Sequence, residues 1–162
     1  MGANVFQAGL DKARIGIQES GELQGVEYFY STVAAIAEKC LKADLVIGAV
    51  LNKGARAPHV VSEAMIRTMR KGSVVVDVSI DQGGCIETSR ATTHDEPIFV
   101  RRGVTHYCVT NMPGAYPRTS TIALCAETLE YIKLIADKEL TGICTLESIS
   151  KAINIYQSRI VK

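Results

Sequence analysis

Two patterns of apolar positions alternate along the chain. Mostly apolar runs containing β-branched residues occur at residues 45–51, 73–80 and 104–109, with shorter ones at 26–30 and 4–6. Runs of this kind are how strands buried on both faces of a parallel sheet read. Between them lie stretches of helical spacing. Val33, Ile36, Ala37, Cys40 and Leu41 follow the i, i+3, i+4, i+7, i+8 rule behind a Ser31-Thr32 cap. Ser62 caps a second helix, over residues 63–71. Glu63 stands in its first turn, Arg67, Arg70 and Lys71 in its last, and Gly72 is its stop. A long helix over residues 119–138, preceded by Pro117, carries Ile122, Cys125, Ala126, Leu129, Ile132 and Ile135 on one face. Residues 10–19 predict a weak helix broken by Gly16, and residues 146–153 a short one that ends the ordered pattern. Residues 52–58 and 87–97 read as loops.

Strands thus alternate with crossovers of helical length, which predicts an α/β protein with a parallel sheet and helices on both faces. Composition changes this picture little. The chain has 162 residues, 47% hydrophobic and 22% charged, enough for one domain or one and a fraction. Its net charge of +1 gives no electrostatic case for nucleic acid or an anionic membrane. No apolar run is long enough to span a bilayer, and Lys12, Arg14 and Glu19 break up the N-terminal stretch, so neither a membrane span nor a signal peptide is expected. Five scattered cysteines without a C-x-x-C pair predict reduced thiols and a cytoplasmic protein, with Cys85 a buried structural thiol. The three histidines lack metal-pair spacing, so no metal site is expected.

The candidate chemistry gathers at the carboxyl ends of the predicted strands, where open α/β sheets bind ligands. The run over residues 73–80 leads into Asp81 and then Gly83-Gly84. Asp81 either works on a ligand there or only caps the next turn, with the glycines supplying positive φ. Val50-Leu51 and Asn111-Met112 end the neighbouring strands. A carboxylate and an amide among apolar residues suit a small polar ligand or a flat cofactor ring, although Val50, Leu51 and Met112 taken alone read as core. The G-x-G-x-x-G turn and the P-loop are both absent from the sequence.

The run over residues 44–51, then Gly54-Ala55-Arg56-Ala57-Pro58, then residues 77–87 (D-V-S-I-D-Q-G-G-C-I-E) resembles bacterial alanine dehydrogenase. So do Ser89-Arg90, Thr92-Thr93-His94, His106-Tyr107-Cys108, Asn111-Met112-Pro113-Gly114 and Pro117-Arg118-Thr119-Ser120-Thr121. The transhydrogenase subunit, which shares the fold, is less similar around Asp81-Gln82-Gly83-Gly84. The resemblance implies an NAD-dependent oxidoreductase that interconverts alanine with pyruvate and ammonia. It implies that Asp81 assists proton transfer, that Val50, Leu51, Val78 and Met112 line the cofactor site, and that Asn111 faces substrate.

Members of that family are more than twice as long. The resemblance therefore places the chain in their C-terminal portion, without the substrate domain, the first strand of the dinucleotide fold or its glycine-rich turn. Gln7 stands where the family has an acidic ribose ligand, and Lys53 replaces a proline. The expected architecture is an incomplete doubly wound, Rossmann-like sheet over residues 1–116 and a helical segment over 117–162. The expected properties are weak or absent NAD binding, no activity of the chain by itself, and association with a chain supplying the N-terminal half or with a second copy. A non-catalytic remnant, or a binding or regulatory module, is the alternative. Because the missing strand is central in the order 3-2-1-4-5-6, two part-sheets with unpaired edges are expected. Either the N-terminal segment shifts into the vacancy or another chain fills it.

Overall fold

Where the β-branched runs predict strands, the computed structural model forms them. It describes residues 2–11, 25–137 and 147–160, in two compact units, Met1–Met112 and Pro113–Lys162. In the first unit β1 (Val5–Gly9) pairs in parallel with β2 (Val26–Tyr30), Val5 opposite Val26 and Gly9 opposite Tyr30. Helix α1 (Val33–Lys42) follows, capped by the Thr32 hydroxyl, which accepts from Ala35 N–H. Then come β3 (Leu45–Gly48), α2 (Glu63–Thr68) and β4 (Val74–Asp77). β5 (Ile98–Arg101) and β6 (Val104–Tyr107) complete a second sheet of order β3-β4-β6-β5, in which only β5 is antiparallel.

The pair β2-β1 and the three strands β3-β4-β6 match the two flanks of the doubly wound order, strands 3-2 and 4-5-6. Among the described residues no strand lies between β1 and β3, and the second edge of each is unpaired. Movement of the N-terminal segment into that position does not occur: β1 keeps its full register with β2. The weak helix expected over residues 10–19 falls almost wholly outside the described residues.

Alternation along the strands sets which face is core. Val46 and Val75 are partners and point inward, where α1 and α2 pack Ile36, Ala37, Cys40, Met65 and Ile66 against Val61, Cys85, Ile86 and Val104. Leu45 and Ile47, one residue out of step, share the other face and are 53% and 61% exposed. Glu63 ties α2 to the β5–β6 turn, accepting from Arg102 at 2.9 Å and Arg101 at 3.4 Å as well as from Arg67. Hydrogen bonds from Arg102 and Arg67 hold its carboxyl below the usual range.

Several element boundaries differ from expectation. The run over residues 73–80 is a strand only to Asp77, and the run over 45–51 only to Gly48; both are cut short by polar bonds described below. The segment at 98–101 is a strand turned by Arg102 and Gly103, both at positive φ. The second helix stops at Thr68, whose hydroxyl donates to the Met65 carbonyl. In the second unit, α3 (Pro117–Asp137) begins with proline at its first position and has no buried residue. Leu124 and Tyr131 add to the apolar stripe, so exposed apolar groups surround much of the helix. The short α4 (Glu147–Ser150) does not end the pattern: β7 (Ile155–Tyr156) and β8 (Arg159–Ile160) form a hairpin turned by Gln157 and Ser158 at positive φ.

Two local features make predictions. A Cβ built on Gly48 would lie 2.4 Å from Cys85 Sγ, so Gly48→Ala should cost about 1–3 kcal/mol through overpacking. Gly48→Ala combined with Cys85→Ala should recover most of that loss, and denaturant titration of the four-member cycle reads the coupling. His106, fully buried and stacked on Phe99, donates from Nδ1 to the Val104 carbonyl at 3.0 Å and accepts at Nε2 from the Thr88 hydroxyl at 2.7 Å. Burial pushes its pKa down. Below about pH 6.5 the unfolded chain therefore takes up a proton that the folded chain refuses. Stability should fall as pH drops through that region, by up to about 1.4 kcal/mol per pH unit. His106→Gln should flatten the slope in urea titrations at pH 7.5 and 5.5.

Candidate functional site at the strand ends

The site is built around a carboxylate buried at the end of β4. Asp77 is fully buried and faces donors only. Its Oδ1 accepts from Ser79 N–H at 3.1 Å. Its Oδ2 accepts from Cys85 N–H at 2.9 Å, Ile86 N–H at 3.0 Å and the Ser89 hydroxyl at 2.7 Å. A buried charge without a cation is tolerable when several N–H and O–H dipoles converge on it. The capture of Ser79 N–H ends the strand and starts a 3-10 turn, Val78–Gln82, with Asp77 as its cap. Gly83 at φ +98 and Gly84 at φ +81 then reverse the chain. A Cβ on Gly84 would meet Asp77 Oδ2 at 2.9 Å, so glycine is required there on two counts.

Ser79 carries this order to the next strand. Its hydroxyl accepts from Val50 N–H at 2.7 Å and donates to the Val50 carbonyl at 2.9 Å, ending β3. Ala57 N–H donates to Gln82 O, and Val60 N–H to Cys85 O. The loops after β3 and β4 are thereby laced together, and between them lies an open cavity of about 890 Å3. Leu51, Asn52, Gly54, Ala55, Arg56, Ile80, Asp81, Gln82 and Gly83 line it.

Of the residues expected at the site, Leu51 and Asp81 line this cavity. Asn111 stands beside it: Asp81 accepts from its N–H with both carboxylate oxygens, at 3.2 and 3.1 Å. Asp81 thus does not cap its own turn, the task Asp77 performs. It reaches instead across to the end of β6. Val50 is held through its backbone as described, Val78 is exposed in the 3-10 turn, and Met112 opens a further 3-10 turn, Met112–Ala115. None of these three, nor Asn111, is part of the cavity wall. Cys85 is a poor nucleophile, since burial, followed by the nearby Asp77 charge, pushes its thiol up to about 11. Burial raises Cys108 likewise.

Sequence reasoning overlooked Asp77, Ser79 and Ser89 as the framework, and Arg56, Asn52 and Gln82 as cavity wall. Asp77 had a readable signal, a carboxylate inside an otherwise apolar run with serine two residues on. The others depend on pairings between loops.

A domain with parallel strands, helical crossovers and a cleft at the strands' carboxyl ends belongs to the dinucleotide-fold class. Comparison with known proteins is more specific. The family model described as "Alanine dehydrogenase/PNT, C-terminal domain" matches residues 1–162, and the chain belongs to that family. It is 47% identical over 162 residues to an alanine dehydrogenase of Lysinibacillus sphaericus, covering 99% of this chain and 44% of that protein. It is 44% identical over 165 residues to one from Mycolicibacterium smegmatis, again covering 99% and 44%. A solved L-alanine dehydrogenase superposes with a TM-score of 0.85 at 42% identity, over 99% of this chain and 44% of the other. A transhydrogenase from Sinorhizobium meliloti gives 0.70 at 26% identity, over 83% and 38%. The chain therefore spans less than half the length of these relatives.

If Asp77 organises the turn, Asp77→Asn should cost about 3 kcal/mol or more, because an amide nitrogen would face donors already present and leave them unsatisfied. Amide exchange at Cys85 and Ile86 should accelerate beyond that of Val75. Unchanged protection at those two positions would contradict the assignment.

Proposed function

We propose that this polypeptide supplies the nicotinamide side of an NAD-dependent alanine dehydrogenase, the oxidation of L-alanine to pyruvate and ammonia. The supporting observation is the Asp81 carboxylate at the cavity rim, joined to Asn111 across the carboxyl ends of the strands. The wall suits one end of the cofactor. Leu51 and Ile80 offer apolar surface to a flat ring, and Asn52, Gln82 and Arg56 offer polar groups around it. A nicotinamide held against Leu51 and Ile80 would supply the hydride-accepting chemistry. Asp81 would handle a proton there and Asn111 would orient substrate; Leu51 would border the ring, with Val50, Val78 and Met112 at the strand ends outside the cavity wall. No helix N-terminus with a glycine-rich turn is found among the described residues to hold a pyrophosphate, so NAD binds weakly without further protein.

The substrate clamp and the strand between β1 and β3 come, on this reading, from a segment equivalent to the upstream part of the relatives, or from assembly with further copies. The enzyme is a cytoplasmic oligomer; no helix among the described residues is long and apolar enough to cross a membrane. A non-catalytic interaction module is the second reading, favoured by the unpaired edges of β1 and β3.

Hydride transfer needs cofactor, substrate and base held together, and a displacement of about 1 Å can cost about a hundredfold. The 162-residue chain should show no alanine-dependent NADH formation. Co-expression with the upstream half of the Lysinibacillus sphaericus enzyme should restore it, and Asp81→Asn should then cut turnover by about a hundredfold or more with assembly intact. Restored assembly without turnover would favour the interaction module.

A further inference from the structure

Asn111 has the left-handed φ of +50 at the point where β6 runs out into the site, and side chains hold both peptide groups that flank it. Its N–H is taken by Asp81. Its carbonyl is 3.1 Å from Nε2 of His94. A carbonyl can only accept, so His94 Nε2 carries the hydrogen and donates. His94 reads from the sequence as a solvated loop residue, yet its loop is firmly delivered. Thr92 N–H donates to the Cys108 carbonyl at 2.9 Å, and Thr110 N–H to the Thr92 carbonyl at 3.1 Å, which extends β6 by a parallel bridge at Thr92 and Val109. Within the loop, the Thr92 hydroxyl donates to the Pro97 carbonyl and Glu96 N–H to the Thr93 hydroxyl.

We infer that His94 is a positioning residue: by holding the Asn111 carbonyl it keeps Asn111 in its left-handed turn, with the amide N–H on Asp81 and the side chain fixed relative to the cavity. Positive φ is uncommon for a residue with a Cβ, and asparagine is among the few that tolerate it. Tolerance is not preference. Two side-chain bonds, one on each flanking peptide, select the conformer and remove the freedom of the Asp81 carboxylate to turn away. The role of His94 in the reaction rests on the alanine dehydrogenase reading; its hold on Asn111 does not.

The test has two arms chosen to separate these. In the 162-residue chain, NMR of His94→Ala should show the Asn111 carbon shifts leaving positive-φ values and its amide exchanging at least tenfold faster, with Val75 and Val104 as controls for global opening. His94→Gln, whose side-chain amide can still donate, should preserve the native pattern. Unchanged Asn111 shifts and exchange in His94→Ala overturn the inference. In the complemented enzyme, His94→Ala should lower kcat about tenfold with the KM for NAD little changed, and His94→Gln should recover most of it. Equal kcat in wild type and His94→Ala overturns the positioning role. A wild-type complex without turnover refutes the alanine dehydrogenase reading, and the NMR arm still decides the clamp.

Discussion

Everything at the strand ends depends on how one carboxylate is solvated. Asp77 is removed from water and given four polar partners from the segment that follows β4. Without that carboxylate, the amides of Cys85 and Ile86 would be buried donors with no acceptor, and the glycine turn would have no reason to close over the core. With it, the turn is held at one level, Ser79 is aimed at Val50, and Asp81 is left on the outer side of the bend. The residue that shapes the site and the one proposed to work in it are thus four positions apart and do opposite things. One is sealed and saturated with donors; the other is exposed and bonded by a single N–H.

Much of the fold is legible because its causes are local. Thr32 and Ser62 cap helices where the pattern places them, and residues 26–30 form the strand that their composition implies. Gly83 and Gly84 have the positive φ expected of them. The overrun of the strands at 48 and 77 has a clear origin. Val78, Ile80, Val50 and Leu51 continue the apolar pattern, and only the bonds from Asp77 and Ser79, made across a loop or between strands, stop the ladder. β5 was hidden for a different reason: Ile98-Phe99-Val100 sits between polar stretches, and its turn residue Arg102 is not one that announces a positive φ. Asp81 is expected at the site from its place after a buried strand, and it lines the cavity. Its bond to Asn111, thirty positions away, lies beyond what periodicity can carry.

The two sheets also show a conflict between local and global order. Their registers are complete, yet among the described residues β1 and β3 each have one edge without a strand partner, and Leu45 and Ile47 are exposed. Burying such side chains is worth about 25 cal/mol per Å2, and pairing an open strand edge adds directionality to that gain. The helix α3, apolar on much of its circumference and without a buried residue, has the same character in the second unit. These surfaces have the composition of interior, displayed as exterior.

The arrangement around Asp77 also bears on the order of folding. All of its partners lie between residues 79 and 89, so the carboxylate gathers a loop of about a dozen residues, a closure that takes on the order of 10–100 ns in a flexible chain. Its entropic cost is small beside that of joining β3, β4 and β6, which are separated by whole crossovers. The site turn can therefore be in place as a preformed hook before the parallel sheet assembles, so that Ser79 meets Val50 as β3 docks. On this account the slow step in reaching the native state is the registration of distant strands, and the turn after β4 is among the first parts of the chain to be ready.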